Sequence, residues 1–124
     1  MILAAIPQEE AMPFLAAAHA YDNSGGAETL ADWLDGAETL GVLEGGALVG
    51  ALALRQDAHG VLWITAAGGR VAGGAVAEVL PAIEAGAKAC GLKQVAFQTI
   101  RPGLSHLANR AGYSLSCTLR KYLK

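Results

Sequence analysis

The chain has 124 residues, 53% of them hydrophobic and 16% charged, with a formal net charge of −2. That length suits one domain over 1–124 with a substantial core, and so apolar a composition excludes a solvating, disordered segment. Nine Lys and Arg residues against eleven Asp and Glu leave no basic run to neutralise phosphates, so no nucleic-acid partner is expected.

The opening MILAAIPQEEAMPFL meets Glu9 and Glu10 too early for a signal peptide. No apolar run reaches the roughly 18 residues of a membrane helix, so no membrane partner is expected. Cys90 and Cys117 lack the short spacing of zinc ligands. They read as buried thiols in a reducing cytoplasm, with no metal site.

In chain order, Ile2 to Ile6 predicts a strand. Gln8 to Tyr21 predicts a helix, acidic at its start, with Phe14, Leu15, Ala18 and Tyr21 on one face. His19 on this helix reads as partly buried. Asp22 to Gly26 is a turn cluster, and Glu28 to Leu34 carries Leu30, Trp33 and Leu34 at helical spacing, ended by Gly36. The pentapeptide GAETL stands at 26–30 and again at 36–40. Its flanks differ, so the two copies should take different structures.

Thr39 to Glu44 and Ala47 to Arg55 predict two strands joined at Gly45-Gly46, a pair suited to a two-residue hairpin. Gln56 to Gly60 then reverses the chain into Val61 to Ala66, the third strand of an antiparallel meander. From Gly74 to Cys90, Val76, Val79, Leu80, Ile83 and Ala87 mark one face of a helix. Pro81 inside it predicts a kink or broken turn, and Gly91 a stop. Gln94 to Ile100 predicts a strand, Leu104 to Ala111 a short helix closed by Gly112, and Tyr113 to Leu119 a half-buried final strand. The fold class that follows is α/β (α+β): a mixed, mostly antiparallel sheet of six to seven strands with helices on both faces.

Between the meander and the long helix lies GGRVAGGAVAEVLPAIEAG, at 68–86. Glycines permit close backbone approach, and a helix N-terminus favours an anion, with Arg70 to add a charge-assisted contact. The run is neither a P-loop, since no Gly-Lys-Ser/Thr follows, nor a Rossmann fingerprint, since the meander precedes it.

At this place in the element order Arg70, Gly73 and Ala75 match Arg/Gln-x-x-Gly-x-Gly/Ala, the acyl-CoA loop of the Gcn5-related N-acetyltransferases (GNAT). Leu48-Val49-Gly50-Ala51 is similar to that family's third strand, and Asn109-Arg110-Ala111-Gly112-Tyr113 to its late helix-to-strand turn. The chain resembles this family over nearly its whole length.

The resemblance implies that Arg70, Val71, Ala72, Gly73, Gly74 and Ala75 hold the pyrophosphate of acetyl-CoA. It also implies that the edge of Thr65, Ala66 and Ala67 takes the pantetheine arm as an added strand, in a slot where Val61–Ala66 and Gln94–Ile100 splay apart. The implied activity is transfer of an acetyl group from acetyl-CoA to a primary amine.

Many relatives place a tyrosine where this chain has Ala108, and a carboxylate on the strand that is here Val61 to Ala66, which has no ionisable residue. His106 and Asn109 flank the first position, and Cys117 lies on the strand expected to reach it. Asp57, His59 and Glu44 lie nearest the second. These are the candidates for proton transfer, and each also reads as an ordinary turn, edge or helix-surface residue. The alternative function is a non-catalytic protein of this fold, part of a complex or a homodimer. Trp33, Trp63 and Tyr122 would then offer an interface, although core positions suit both tryptophans.

Overall fold

The computed structural model describes residues 1–19, 28–70, 76–99, 102–116, 119–121 and 123. Along it run β1 (Ile2–Ala5), α1 (Gln8–Ala18), α2 (Leu30–Leu34), β2 (Glu38–Glu44), β3 (Ala47–Gln56), β4 (Val61–Gly69), α3 (Val76–Ala89), β5 (Gln94–Phe97) and α4 (Pro102–Arg110). The strands lie side by side in chain order, antiparallel from β1 to β4, with β5 parallel to β4 after the α3 crossover.

Local chemistry sets the boundaries. Thr29 caps α2 by accepting the Asp32 N–H at 3.2 Å while Asp32 accepts the Thr29 N–H at 2.8 Å, a reciprocal capping box. The first copy of GAETL therefore leads into a helix, whereas Glu38 to Leu40 of the second begin β2. Gly45 and Gly46 take φ of 57° and 81°, closing the β2–β3 hairpin with Glu44 opposite Ala47.

The two faces of the sheet differ in grain. On one, Val42, Leu52, Leu54 and Leu62 pack against Val79, Ile83 and Ala87 of α3. On the other, Ala51, Ala53 and Ala66 receive Ala11 and Leu15 of α1 and Trp33 and Leu34 of α2. Small residues there let α1 approach closely. A Cβ added at Gly68 would collide with the carbonyl oxygen of Phe14, whose carbon lies 2.7 Å from that point. Gly69 has a φ of 68° and is closed in by the backbone of Val49 and Gly50. Two glycines of the run that suggested anion binding thus have structural reasons of their own: Gly68 the close approach of α1, and Gly69 its positive φ and the backbone of β3.

Four expectations need correction. The described residues form five strands, not six to seven: Tyr113 to Ser116 belong to none. Tyr113 is drawn against Phe97, but Leu115 and Leu119 are 76% and 94% exposed. Alternation records two faces, and a strand also needs a neighbour for its backbone groups. Strand β4 runs three residues beyond Ala66, taking in Gly68 and Gly69. Helix α3 continues unbroken through Pro81; Ala77 and Pro81 are both exposed, so water can satisfy the carbonyl that proline leaves unbonded. Cys90 is exposed, because α3 stops at Ala89 and leaves it in the closing turn. Cys117 and Tyr122 lie outside the described residues.

Gly68→Ala is expected to destabilise the fold by about 1–3 kcal/mol, since backbone rather than a pliant side chain must yield. Gly86→Ala, in α3 with nothing within 4 Å of the added Cβ, should stabilise it by about 0.5–1 kcal/mol. Urea unfolding midpoints at constant m value check both.

Candidate functional site

The parallel ladder between β4 and β5 is short. It runs from Val61 opposite Gln94 to Ile64 opposite Phe97 and ends there, while β4 continues against β3 as far as Gly69. At the break the β3–β4 register shifts: Ala53 faces Ala66 and Leu54 faces Ile64, which leaves Thr65 as the extra residue of a β-bulge. The Thr65 hydroxyl lies 2.8 Å from the Trp33 carbonyl and 3.3 Å from that of Ala53, fixing the bulge to α2 and β3. Beyond it, among the described residues, the β4 edge that faced β5 has no strand partner.

A cleft of about 810 Å³ opens at this split. Its walls are the second half of β4, the start of α3 at Val76, Val79 and Leu80, the residues from Phe97 to Thr99, and Leu104 of α4. The other end is closed by Trp33 and Asp32 of α2 with Glu28 and Asp35 on its flanks, by Arg55 of β3, and by Asp57 and Trp63.

The structure brings some of the expected site residues together and sets others apart. Thr65, Ala66 and Ala67 line the cleft. Arg70 stands at the end of β4, its side chain 57% exposed and its Nη1 2.7 Å from Oε2 of Glu44. Val71, Ala72, Gly73, Gly74 and Ala75 lie outside the described residues. His59 is exposed in the β3–β4 turn, and His106 and Asn109 are exposed on α4; none of the three lines the cleft. Ala108 is buried, and its carbonyl accepts the Tyr113 N–H at 3.0 Å. His19 is partly buried, as expected, its ring against Trp33 at 4.7 Å.

Trp63 departs from the expectation of a core position, being half-buried on the cleft wall. Its indole N–H donates to Asp57 Oδ2 at 2.9 Å, while Oδ1 of the same carboxylate accepts the N–H groups of His59 and Val61 at 2.8 and 3.1 Å. The Trp63 bond first, and then the Val61 N–H, hold the Asp57 carboxyl below its ordinary value. Asp57 is therefore an ionised clasp between turn and wall, and a weak base. No sequence motif marks this pair: it depends on the hairpin bringing residues six apart into register.

Tyr113 stays a phenol far above neutral pH, through burial first and then its bond to Glu84, whose Oε2 it reaches at 2.9 Å. Among the described lining residues there is no His, Cys, Tyr or Lys.

The Asp57 clasp carries a pH dependence of definite sign. Its folded value lies below the ordinary 3.8, so the stability it contributes is present above that value and lost as pH falls through the lower, folded one. Tryptophan fluorescence should report release of Trp63 over that acid window, and Asp57→Asn should remove the transition. An unchanged acid transition in Asp57→Asn would refute the assignment.

No family model matches the sequence, and a search of curated proteins finds no match. Solved structures do match. An IAA acetyltransferase from Bacillus cereus aligns with a TM-score of 0.67 at 18% identity, covering 90% of this chain and 73% of its own. A ribosomal-protein-alanine N-acetyltransferase from Brucella melitensis biovar Abortus gives 0.63 at 15%, covering 99% and 96%. An aminoglycoside antibiotic 6'-N-acetyltransferase from Acinetobacter haemolyticus gives 0.59 at 14%, covering 100% and 98%. These neighbours are GNAT acetyltransferases, and this chain has their fold across the length that its sequence resemblance covers.

Proposed function

We propose that this chain is an acyl-CoA-dependent N-acyltransferase that moves an acetyl group from acetyl-CoA to a primary amine. The observation that carries the reading is the open β4 edge from Thr65 to Gly69, facing a cleft of about 810 Å³. An extended amide chain such as pantetheine can add to such an edge through backbone hydrogen bonds. The pyrophosphate would fall to Arg70 and to residues 71–75, which precede α3 in the sequence. The named neighbours acetylate unlike acceptors, so none of their substrates transfers to this chain.

In the proposed reaction a neutral amine attacks the thioester carbonyl carbon, and the C–S bond breaks as the tetrahedral intermediate collapses. The electron pair leaves on the CoA sulfur, and the nitrogen loses its extra proton to solvent. Backbone N–H groups of the open edge are the available donors for the developing oxyanion. With no His, Cys, Tyr or Lys among the described lining residues, positioning and a tolerable leaving group supply the rate. The same lack of an acid favours one other reading, a non-catalytic protein of this fold that binds acyl-CoA or a protein partner.

Acetyl-CoA at 100 times its dissociation constant should stabilise the protein by about 2.7 kcal/mol, visible as a thermal shift. No shift with acetyl-CoA or free CoA would overturn the enzyme reading. A shift without thiol release in the presence of any amine would favour the non-catalytic one.

Arg70 must leave Glu44 to meet a pyrophosphate. Glu44→Gln should therefore tighten CoA binding by up to about fivefold, the scale of one exposed ion pair, whereas Arg70→Ala should weaken it. Calorimetric titration with CoA decides between these outcomes and no change.

A further inference from the structure

The acyltransferase reading assigns the β4 edge beyond Thr65 to the thioester arm. The opposite end of the cleft, between α2, the β3–β4 turn and the first half of β4, is left for the acceptor. Resting on that reading, we propose that Trp63, positioned by Asp57, is the specificity-determining wall of this end. The acceptor it selects is a small organic cation that carries a second positive charge besides its reacting amine.

Two observations and one chemical requirement point to it. Trp63 is half-buried on the wall and cannot swing freely, because its indole N–H is tied to Asp57 at 2.9 Å. A fixed indole beside an anionic acceptor offers an electron-rich surface, the kind that attracts organic cations.

The charge of the described lining residues is also confined to this end. Glu28, Asp32, Asp35 and Asp57 stand against Arg55, while the lining residues of α3, α4 and the stretch from Phe97 to Thr99 are uncharged. Arg55 is engaged, its Nη1 donating to the Asp35 carbonyl at 3.2 Å. Asp32 and Asp57 are held ionised by hydrogen bonds from Thr29 and from Trp63. Four carboxylates in one half of a cleft, in a chain whose whole net charge is −2, concentrate negative potential there.

The third point is chemical. The attacking nitrogen must be neutral, so a monoamine gives up its attraction to the carboxylates on entering the reaction. A second ammonium keeps its charge throughout and holds the acceptor in place while the first nitrogen attacks. An acceptor with a carboxylate or phosphate near its amine meets repulsion instead.

The test is calorimetry on the full chain without CoA, using 1,4-diaminobutane, butylamine and 4-aminobutyrate as probes. The diamine should bind about tenfold more tightly than butylamine, and 4-aminobutyrate more weakly than either. Raising salt from about 0.05 to about 0.5 M should weaken diamine binding markedly. Trp63→Leu should cut the preference several-fold, leaving the part the carboxylates supply, and Trp63→Phe should retain most of it.

Asp57→Asn keeps an acceptor oxygen for the indole. In acetyl-CoA turnover it should raise KM for the diamine several-fold and leave kcat nearly unchanged, whereas a merely structural loss would lower the unfolding temperature and kcat together. Equal binding of diamine and butylamine, preference for 4-aminobutyrate, or an unaltered preference in a folded Trp63→Leu variant would each overturn the proposal. Failure of the parent to bind CoA would overturn the acyltransferase reading, a result recorded separately from these amine titrations.

Discussion

Strand β4 is shared unequally between its neighbours, and the site depends on that inequality. Along β3 it pairs from Leu62 to Gly69, but along β5 only from Val61 to Ile64. The bulge at Thr65 separates the two regimes. One added residue increases the local twist and turns the second half of β4 away from the line β5 follows. The cleft is therefore a consequence of backbone register rather than of any one functional side chain, and the Thr65 hydroxyl on the Trp33 carbonyl couples that register to α2.

A second constraint lets the bulged half of β4 stay in the sheet. Ala51, Ala53, Ala66 and Gly68 form a surface of small residues on which α1 rests, close enough for the backbone of Phe14 to occupy the space of a Gly68 side chain. The opposite face is filled by Val and Leu against α3. Close contact on one side and bulk on the other grip β3 and β4 between helices. The open edge is thereby offered by a strand that is otherwise fixed, which suits an edge meant to receive an extended ligand.

Much of this fold was legible in the sequence. The apolar stripe from Val76 to Ala87, the Gly45-Gly46 reversal and the alternation of the meander strands each specify an element by local periodicity. Tyr113 to Ser116 form no strand although Tyr113, Leu115, Cys117 and Leu119 alternate as one would, because nothing local says whether a partner edge will accept them. The glycine run showed the opposite ambiguity. Gly68 and Gly69 look like residues meant for a ligand, yet Gly68 makes the seat of α1 and Gly69 takes a positive φ against the backbone of β3. Of the site, Thr65 to Ala67 could be placed from the family resemblance. Asp57 could be named at the entrance of β4 as a proton-transfer candidate, but its bond to the Trp63 indole could not, because their meeting depends on hairpin register.

The proposed site stands or falls with the free edge of β4. Amide hydrogen exchange over Thr65 to Gly69, with and without saturating CoA, tests it most directly. In a strand paired on one side only, alternate N–H groups point to the open edge and exchange readily. Bound CoA should slow these amides by about tenfold or more while the paired stretch from Val61 to Ile64 is little changed. Protection confined to other segments, with Thr65 to Gly69 exchanging as fast as before, would contradict it.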